Sequence, residues 1–141
     1  MADPRQSAAT PTVRLREMMP LCATLGIEAT ALADPAEVVV TMPWQPGLCT
    51  TGGVLHGGAV MSLADAAGGL CAFLNLPDGA SGTTTIQSHT NFLRAVAEGD
   101  VEARARPLHA GRTVIVVETE VRDRAGKLVA KTVQSQAVLR A

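Results

Sequence analysis

Between Gly57 and Leu74 the chain reads GGAVMSLADAAGGLCAFL, and Asp65 is its only charge. A stretch of that length with no proline reads as a helix, and a helix apolar nearly all round needs cover on nearly every side. A membrane could supply cover, but a spanning helix needs about 20 mostly apolar residues, and a central Asp costs about 2.5–3.5 kcal/mol to insert. Four glycines and many alanines weaken the hydrophobicity further. A protein core is therefore the expected surrounding, with no membrane partner. One long helix is covered in a protein only if a curved sheet wraps it and something else closes the side left open.

The flanking sequence supplies such a sheet. Residues 12–25, after Pro11, carry Val13, Met18 or Met19, Cys22 and Leu25 at helical spacing, and Gly26 ends the run. Residues 27–33 and 36–42 read as two strands joined at Asp34-Pro35, the second with Val38, Val40 and Met42 on one face. Trp44 to Val54 is rich in Pro and Gly and reads as a loop. After the long helix, residues 83–95 read as a strand. Val101, Ala103 and Ala105 then alternate with Glu102, Arg104 and Arg106 until Pro107 closes that strand. Thr113, Ile115, Val117, Thr119 and Val121 alternate in the same way, and Arg124-Ala125-Gly126-Lys127 turns the chain back into residues 128–139. The expected class is α+β: one long central helix wrapped by a curved antiparallel sheet of about six strands in hairpin order, with a short N-terminal helix. At 141 residues, this is one domain over residues 11–141, with residues 1–10, polar and without period, expected to be disordered.

Composition narrows the function. Twelve Lys and Arg against thirteen Asp and Glu give a net charge of −1, and aromatic residues make up 2% of the chain. Neither the basic footprint nor the stacking platforms of a nucleic-acid binder are present. Cys22, Cys49 and Cys71 form no CxxC pair, and His56, His89 and His109 have no metal-ligand spacing, so neither a metal nor a cofactor is expected. The first residues lack the apolar stretch of a secretory signal, and three unpaired thiols fit a reducing compartment. The expected location is cytoplasmic.

The segment Gly52-Gly53-Val54-Leu55-His56-Gly57-Gly58 leads into the long helix, and Asp65 follows nine residues after His56. Glycines at a helix start let another group approach unpaired backbone N–H donors, which suits a polarised carbonyl or a developing oxyanion; a flexible loop is the plainer alternative. Asp65 lies too far along for capping. A carboxylate there must be paired, protonated or functional, and the structural alternative is a buried ion pair with a strand arginine. Its helix neighbours Ser62, Gly68 and Gly69 are small and leave room beside it. Gly57 and Asp65 are about 12 Å apart along one helix, so both can meet one reacting group only from two antiparallel helices. Such an arrangement needs a two-fold dimer with the site at its interface.

The run LHGGAVMSLADAAGG resembles the HGG-x6-D motif of the hotdog-fold acyl-CoA thioesterases, specifically the phenylacetic-acid-degradation family. TTTIQSHTNFLRAVAEGD and HAGRTVIVVETEVRDRAGKLVAKTV resemble the strands that follow, so the similarity runs from about residue 20 to the end. The resemblance implies an acyl-CoA substrate, and self-association as a homodimer or a dimer of dimers. It implies Asp65 as nucleophile or general base, the Gly57 N–H polarising the thioester carbonyl from the opposite subunit, and His56 orienting the helix start or touching the thioester. Thr85 falls at a hydroxyl position that places the attacking water. Thr50 stands where the family carries a side-chain amide, a departure that shortens the reach of that group. Gly58, Ser62 and Gly69 are the expected substrate-binding residues.

Residues 94–141 carry a net charge of +3 against −4 for residues 1–93. Arg112 is accordingly the candidate for the coenzyme A phosphates, with Arg94, Arg104 and Arg106 on strands nearby. Cys49 and Cys71 read as packing residues. The competing readings are an acyl-thioester hydratase, whose HFPG-type loop is missing, and a non-catalytic acyl-CoA-binding module, which would gain nothing from an unpaired carboxylate.

Overall fold

The computed structural model describes residues 9–141. The disorder expected of residues 1–10 lies outside the described residues for its first eight positions. At the other end Thr10 is fixed, its hydroxyl accepting a hydrogen bond from the Val13 N–H as the cap of the first helix.

The N-terminal helical segment is two helices, not one: α1 over Pro11–Met18 and α2 over Pro20–Leu25. Pro20 is the cause. The residue before a proline is pushed out of the helical region, and Met19 sits at φ −129°, ψ 88°. The break also changes which side chain is buried, because Leu15 enters the core while Val13 faces outward. Gly26 ends α2 in the left-handed conformation that its sequence position predicted, at φ 72°. Bonds from the Arg16 side chain to the Ile27 carbonyl and between Thr12 and Ala29 clamp the helices to the first strand.

Six strands follow in one antiparallel sheet: β1 (Glu28–Ala29), β2 (Val38–Met42), β3 (Gly82–Phe92), β4 (Val101–Ala110), β5 (Val114–Arg122) and β6 (Leu128–Leu139). Their spatial order is β1-β2-β4-β5-β6-β3. The expected hairpin order holds for β1 with β2 and for β4, β5 and β6. It fails for β3, which crosses to the far edge and pairs with β6, leaving its other side without a partner among the described residues. β4 also runs through Pro107 to Ala110. It can do so because β2 ends opposite Ala105, so the imide faces no ladder there, and the register with β5 shifts between Pro107 and His109.

The alternation read from the sequence sorts the faces. Val38, Val40 and Met42, then Val101, Ala103 and Ala105, then Ile115, Val117 and Val121 all point to one buried layer. The opposite face carries ion pairs: Arg106 and Arg104 both hold Glu37, Arg122 holds Glu120, and Lys131 meets Glu118. The hydrogen bond from Arg106 holds the Glu37 carboxyl below its ordinary range. Arg104 and Arg106 thus each meet a carboxylate on this face.

On the buried layer lies α3, an uninterrupted helix over Gly57–Leu74. It is the one helix among the described residues long and apolar enough to cross a membrane, with mean hydropathy 1.4, and half of it is buried in the fold. Its Leu63, Ala64, Ala67, Cys71 and Ala72 are fully enclosed, and it touches β2 through β6, so the sheet wraps it. The other side stays open, where Met61 and Phe73 are 39% and 48% exposed. Leu63 lies at the centre of the enclosed side. Leu63→Ala should lower unfolding free energy by about 2–5 kcal/mol, read as a reduced urea midpoint with unchanged slope.

Candidate active site

The start of α3 is set by a tight turn. The Thr50 N–H donates to the Val54 carbonyl and the Gly53 N–H to the Thr50 carbonyl, with Gly52 and Gly53 both at positive φ, a region that favours glycine. Trp44 braces this turn by donating its indole N–H to the Gly53 carbonyl at 3.2 Å. His56 is the helix cap. Its Nδ1 accepts from the Gly58 N–H at 2.8 Å, which places the imidazole proton of the neutral ring on Nε2, the outward nitrogen. A Cβ on Gly58 would lie 2.9 Å from that Nδ1, so the second glycine keeps the cap in place. The Gly57 N–H has no acceptor among the described residues, as expected for a first-turn donor, and the Phe92 ring rests against Gly57.

Asp65 is two turns further on, and it is not buried. It sits on the open side of α3, in line with Met61 and Phe73, and no ion pair ties it to an arginine among the described residues. The alternative of a buried salt bridge is thereby removed. The carboxylate stands between two grooves. One, of about 400 Å³, is walled by Met19, Leu21, Cys22, Leu25 and Met61, with Ser62 and Ser88 beside the acid. The other, of about 520 Å³, runs past Gly69 and Phe73 to Thr83, Thr84, Thr85 and Gln136. Ser62 donates its hydroxyl proton to the Gly58 carbonyl, leaving its lone pairs toward the groove. Gly69 has no atom within 4 Å of where a Cβ would stand, so the space beside the acid is open.

The residues singled out from the sequence therefore fall into two groups. Asp65, Ser62, Gly69 and Thr85 gather around the grooves. Thr50, His56, Gly57 and Gly58 gather at the helix start. Since α3 is unbroken, the groups stay about 12 Å apart in one chain. Arg112 joins neither. It lies in the β4–β5 turn, where its carbonyl accepts from Arg140.

Three polar groups in or behind the grooves escaped the sequence reading: Ser88 and Gln136 line them, and Gln134 reaches Asp65 from beneath. Ser88 is opposite Gln134 in the β3–β6 register, and Gln134 and Gln136 lie on the inward face of β6. The available signal was the alternation Thr132, Gln134, Gln136, in phase with the inward Ala130, which puts amides where a core strand carries aliphatics. The cysteines are packing residues: burial raises the Cys22 thiol and pushes Cys71 up to about 11, so neither supplies a thiolate near neutral pH.

The thioesterase superfamily model matches residues 52–130, which contain the glycine turn, α3, β3, β4 and β5. The chain is 36% identical over 117 residues to the proofreading thioesterase EntH of Cronobacter turicensis, covering 82% of each protein. The thioesterase HI1161 of Haemophilus influenzae superposes with a TM-score of 0.79 at 31% identity, over 89% of this chain and 90% of that one. A variant of thioesterase PA1618 from Pseudomonas aeruginosa gives a TM-score of 0.84 at 27% identity, over 97% and 98%. The chain belongs to the thioesterase superfamily. It is a thioester hydrolase on the hotdog fold, a sheet wrapped around one central helix.

The cap makes its own prediction. Gly58→Ala must move the imidazole off its acceptor position, and the loss of an N-cap costs about 0.5–2 kcal/mol. His56→Ala should show a similar loss in urea unfolding, and the double variant little more than either alone.

Proposed function

We propose that the protein hydrolyses an acyl-CoA thioester at a site shared by two copies of the chain. Asp65 of one copy serves as the catalytic carboxylate, and the helix start of the other holds the carbonyl. The observation that carries this is the placement of Asp65: a carboxylate on the open side of α3, between two grooves, with no cation paired to it among the described residues. The unbroken helix supports the dimer, as do the exposed Met61, Phe73 and Ile86 and the edge of β3 that has no partner among the described residues.

In this site the Gly57 N–H, aided by the helix dipole, polarises the thioester oxygen, and the outward Nε2–H of His56 is a second donor to oxygen or sulfur. Asp65 then acts in one of two ways. It takes a proton from a water that adds to the carbonyl carbon, with Thr85 holding that water, or it adds to the carbon itself to give an anhydride that water opens. Either way the C–S bond breaks, the thiolate leaves and is protonated, and a free acid remains. A thiolate leaves without the metal or acid that an amine needs. Thr50 supports the turn behind Gly57, Gly58 holds His56, and Ser62 and Gly69 shape the space for the acyl group. The exposed Arg112, beside Arg140 at the sheet end, is assigned to the phosphates.

Free-thiol release from short, medium, long and aryl acyl-CoAs tests this, with Asp65→Asn beside the wild type and folding of both checked. Turnover should fall about 10²–10⁴-fold in the variant. Tight acyl-CoA binding with no thiol release from the wild type would sink the enzyme reading in favour of a binding module. Incorporation of ¹⁸O into Asp65 in a single turnover separates nucleophile from base.

The sharing between subunits has a separate test. Gly57→Pro removes the N–H donor at a helix position that tolerates proline, and should be inactive. Co-expressed with Asp65→Asn, it forms mixed dimers in which one site carries both defects and the other neither. About one quarter of wild-type activity should return. No recovery would place each site within one chain.

A further inference from the structure

Two side chains of β6 are in the wrong environment for their type. Glutamine is mostly a surface residue, yet Gln134 and Gln136 are each 1% exposed, on the face of the sheet turned toward α3. Burying a primary amide is unfavourable unless its hydrogen bonds are met inside. Each amide has one such bond: Gln134 Nε2 donates to Asp65 Oδ1 at 3.4 Å, and Gln136 Nε2 donates to Thr85 Oγ1 at 2.6 Å.

The details show that these contacts are arranged. The Gln134 amide lies in a notch of α3 made by Gly68, three residues past Asp65. A Cβ there would be 2.2 Å from Oε1 and 2.5 Å from Cδ. An ionised carboxylate can only accept, so the amide must turn its N–H₂ toward Asp65, and its Oε1 is left buried with no donor among the described residues. A fold selected for stability alone would fill this place with an aliphatic side chain, because an orphaned buried carbonyl is a cost. At Thr85 the β3–β6 register slips by one residue before Gln87, a bulge that re-aims the strand beside the groove. Since Thr85 Oγ1 already accepts from Gln136, its own O–H is free to donate into the groove that Asp65 also lines.

We infer that Gln134 and Gln136 are positioning residues for hydrolysis: Gln134 holds the Asp65 carboxylate in one rotamer, and Gln136 makes Thr85 a donor toward the attacking water. The inference rests on the proposed role of Asp65 and adds a reason for the buried amides beneath it.

The isosteric variants Gln134→Met and Gln136→Met keep length and packing and remove only the amide. For each, kcat should fall roughly tenfold to a hundredfold with KM within about twofold. The melting temperature of Gln134→Met should hold or rise, because the orphaned Oε1 is gone. In the Asp65→Asn background Gln134→Met should lower kcat no further, since it acts through the carboxylate. A structural role would give the reverse, a lower melting temperature with kcat preserved. An active wild type, an inactive Asp65→Asn and fully active Met variants would overturn this inference alone. A wild type without thiol release, or an Asp65→Asn variant with full activity, would remove the catalytic reading and this one with it.

Discussion

Everything in this molecule answers to the need to cover α3. Ten residues of the helix are buried among the described elements, most of them small or aliphatic, and the strands that enclose them are patterned with Val, Ile and Ala on the facing side. At roughly 25 cal/mol per Å² of apolar surface removed from water, that contact stabilises the fold, and it fixes which way the helix is turned. The orientation has a consequence for chemistry. With the Leu63–Cys71 side against the sheet, Asp65 lies at the margin of the covered side, exposed yet within reach of Gln134 on β6.

The helix is also a ruler. A hydrogen-bonded helix cannot be compressed, so the donor-bearing start and the carboxylate keep their separation in any state of the folded chain. In a single copy the two groups therefore stay apart along the helix. The N-terminal helices strengthen the half that holds the acid, because Met19, Leu21, Cys22 and Leu25 turn the open side of α3 into a groove. Residues that look like a peripheral appendage in the sequence are thus part of the wall beside the Asp65 carboxylate.

Local chemistry was the most legible. The limits of α3, the Gly26 stop, the Asp123-to-Lys127 turn and the inward faces of β2, β4 and β5 follow from periodicity and turn residues alone, because each is decided within a few positions. Decisions made at a distance were not legible. Nothing within residues 82–92 says that this strand will leave its neighbour in sequence and pair with β6. Nor does Pro107 announce that β2 stops short of it. The two halves of the motif were readable because they stand on one helix. Gln134 and Gln136 were not, since an amide on a strand reads as a solvated face until the partner across the sheet is known. Pro20 is the exception: its effect is local, yet the apolar spacing that runs across it reads as one helix, and the proline divides it in two.

The brace on the glycine turn has a practical side. Trp44 is the only tryptophan in a chain with no tyrosine, and its indole is tied to the carbonyl of Gly53, four residues before the helix start that presents Gly57. Intrinsic fluorescence of this protein is therefore a signal from a single place. Any event that loosens or polarises the turn changes the surroundings of that one fluorophore. The molecule carries its own optical label at the half of the site that would hold the carbonyl, without a residue having to be added.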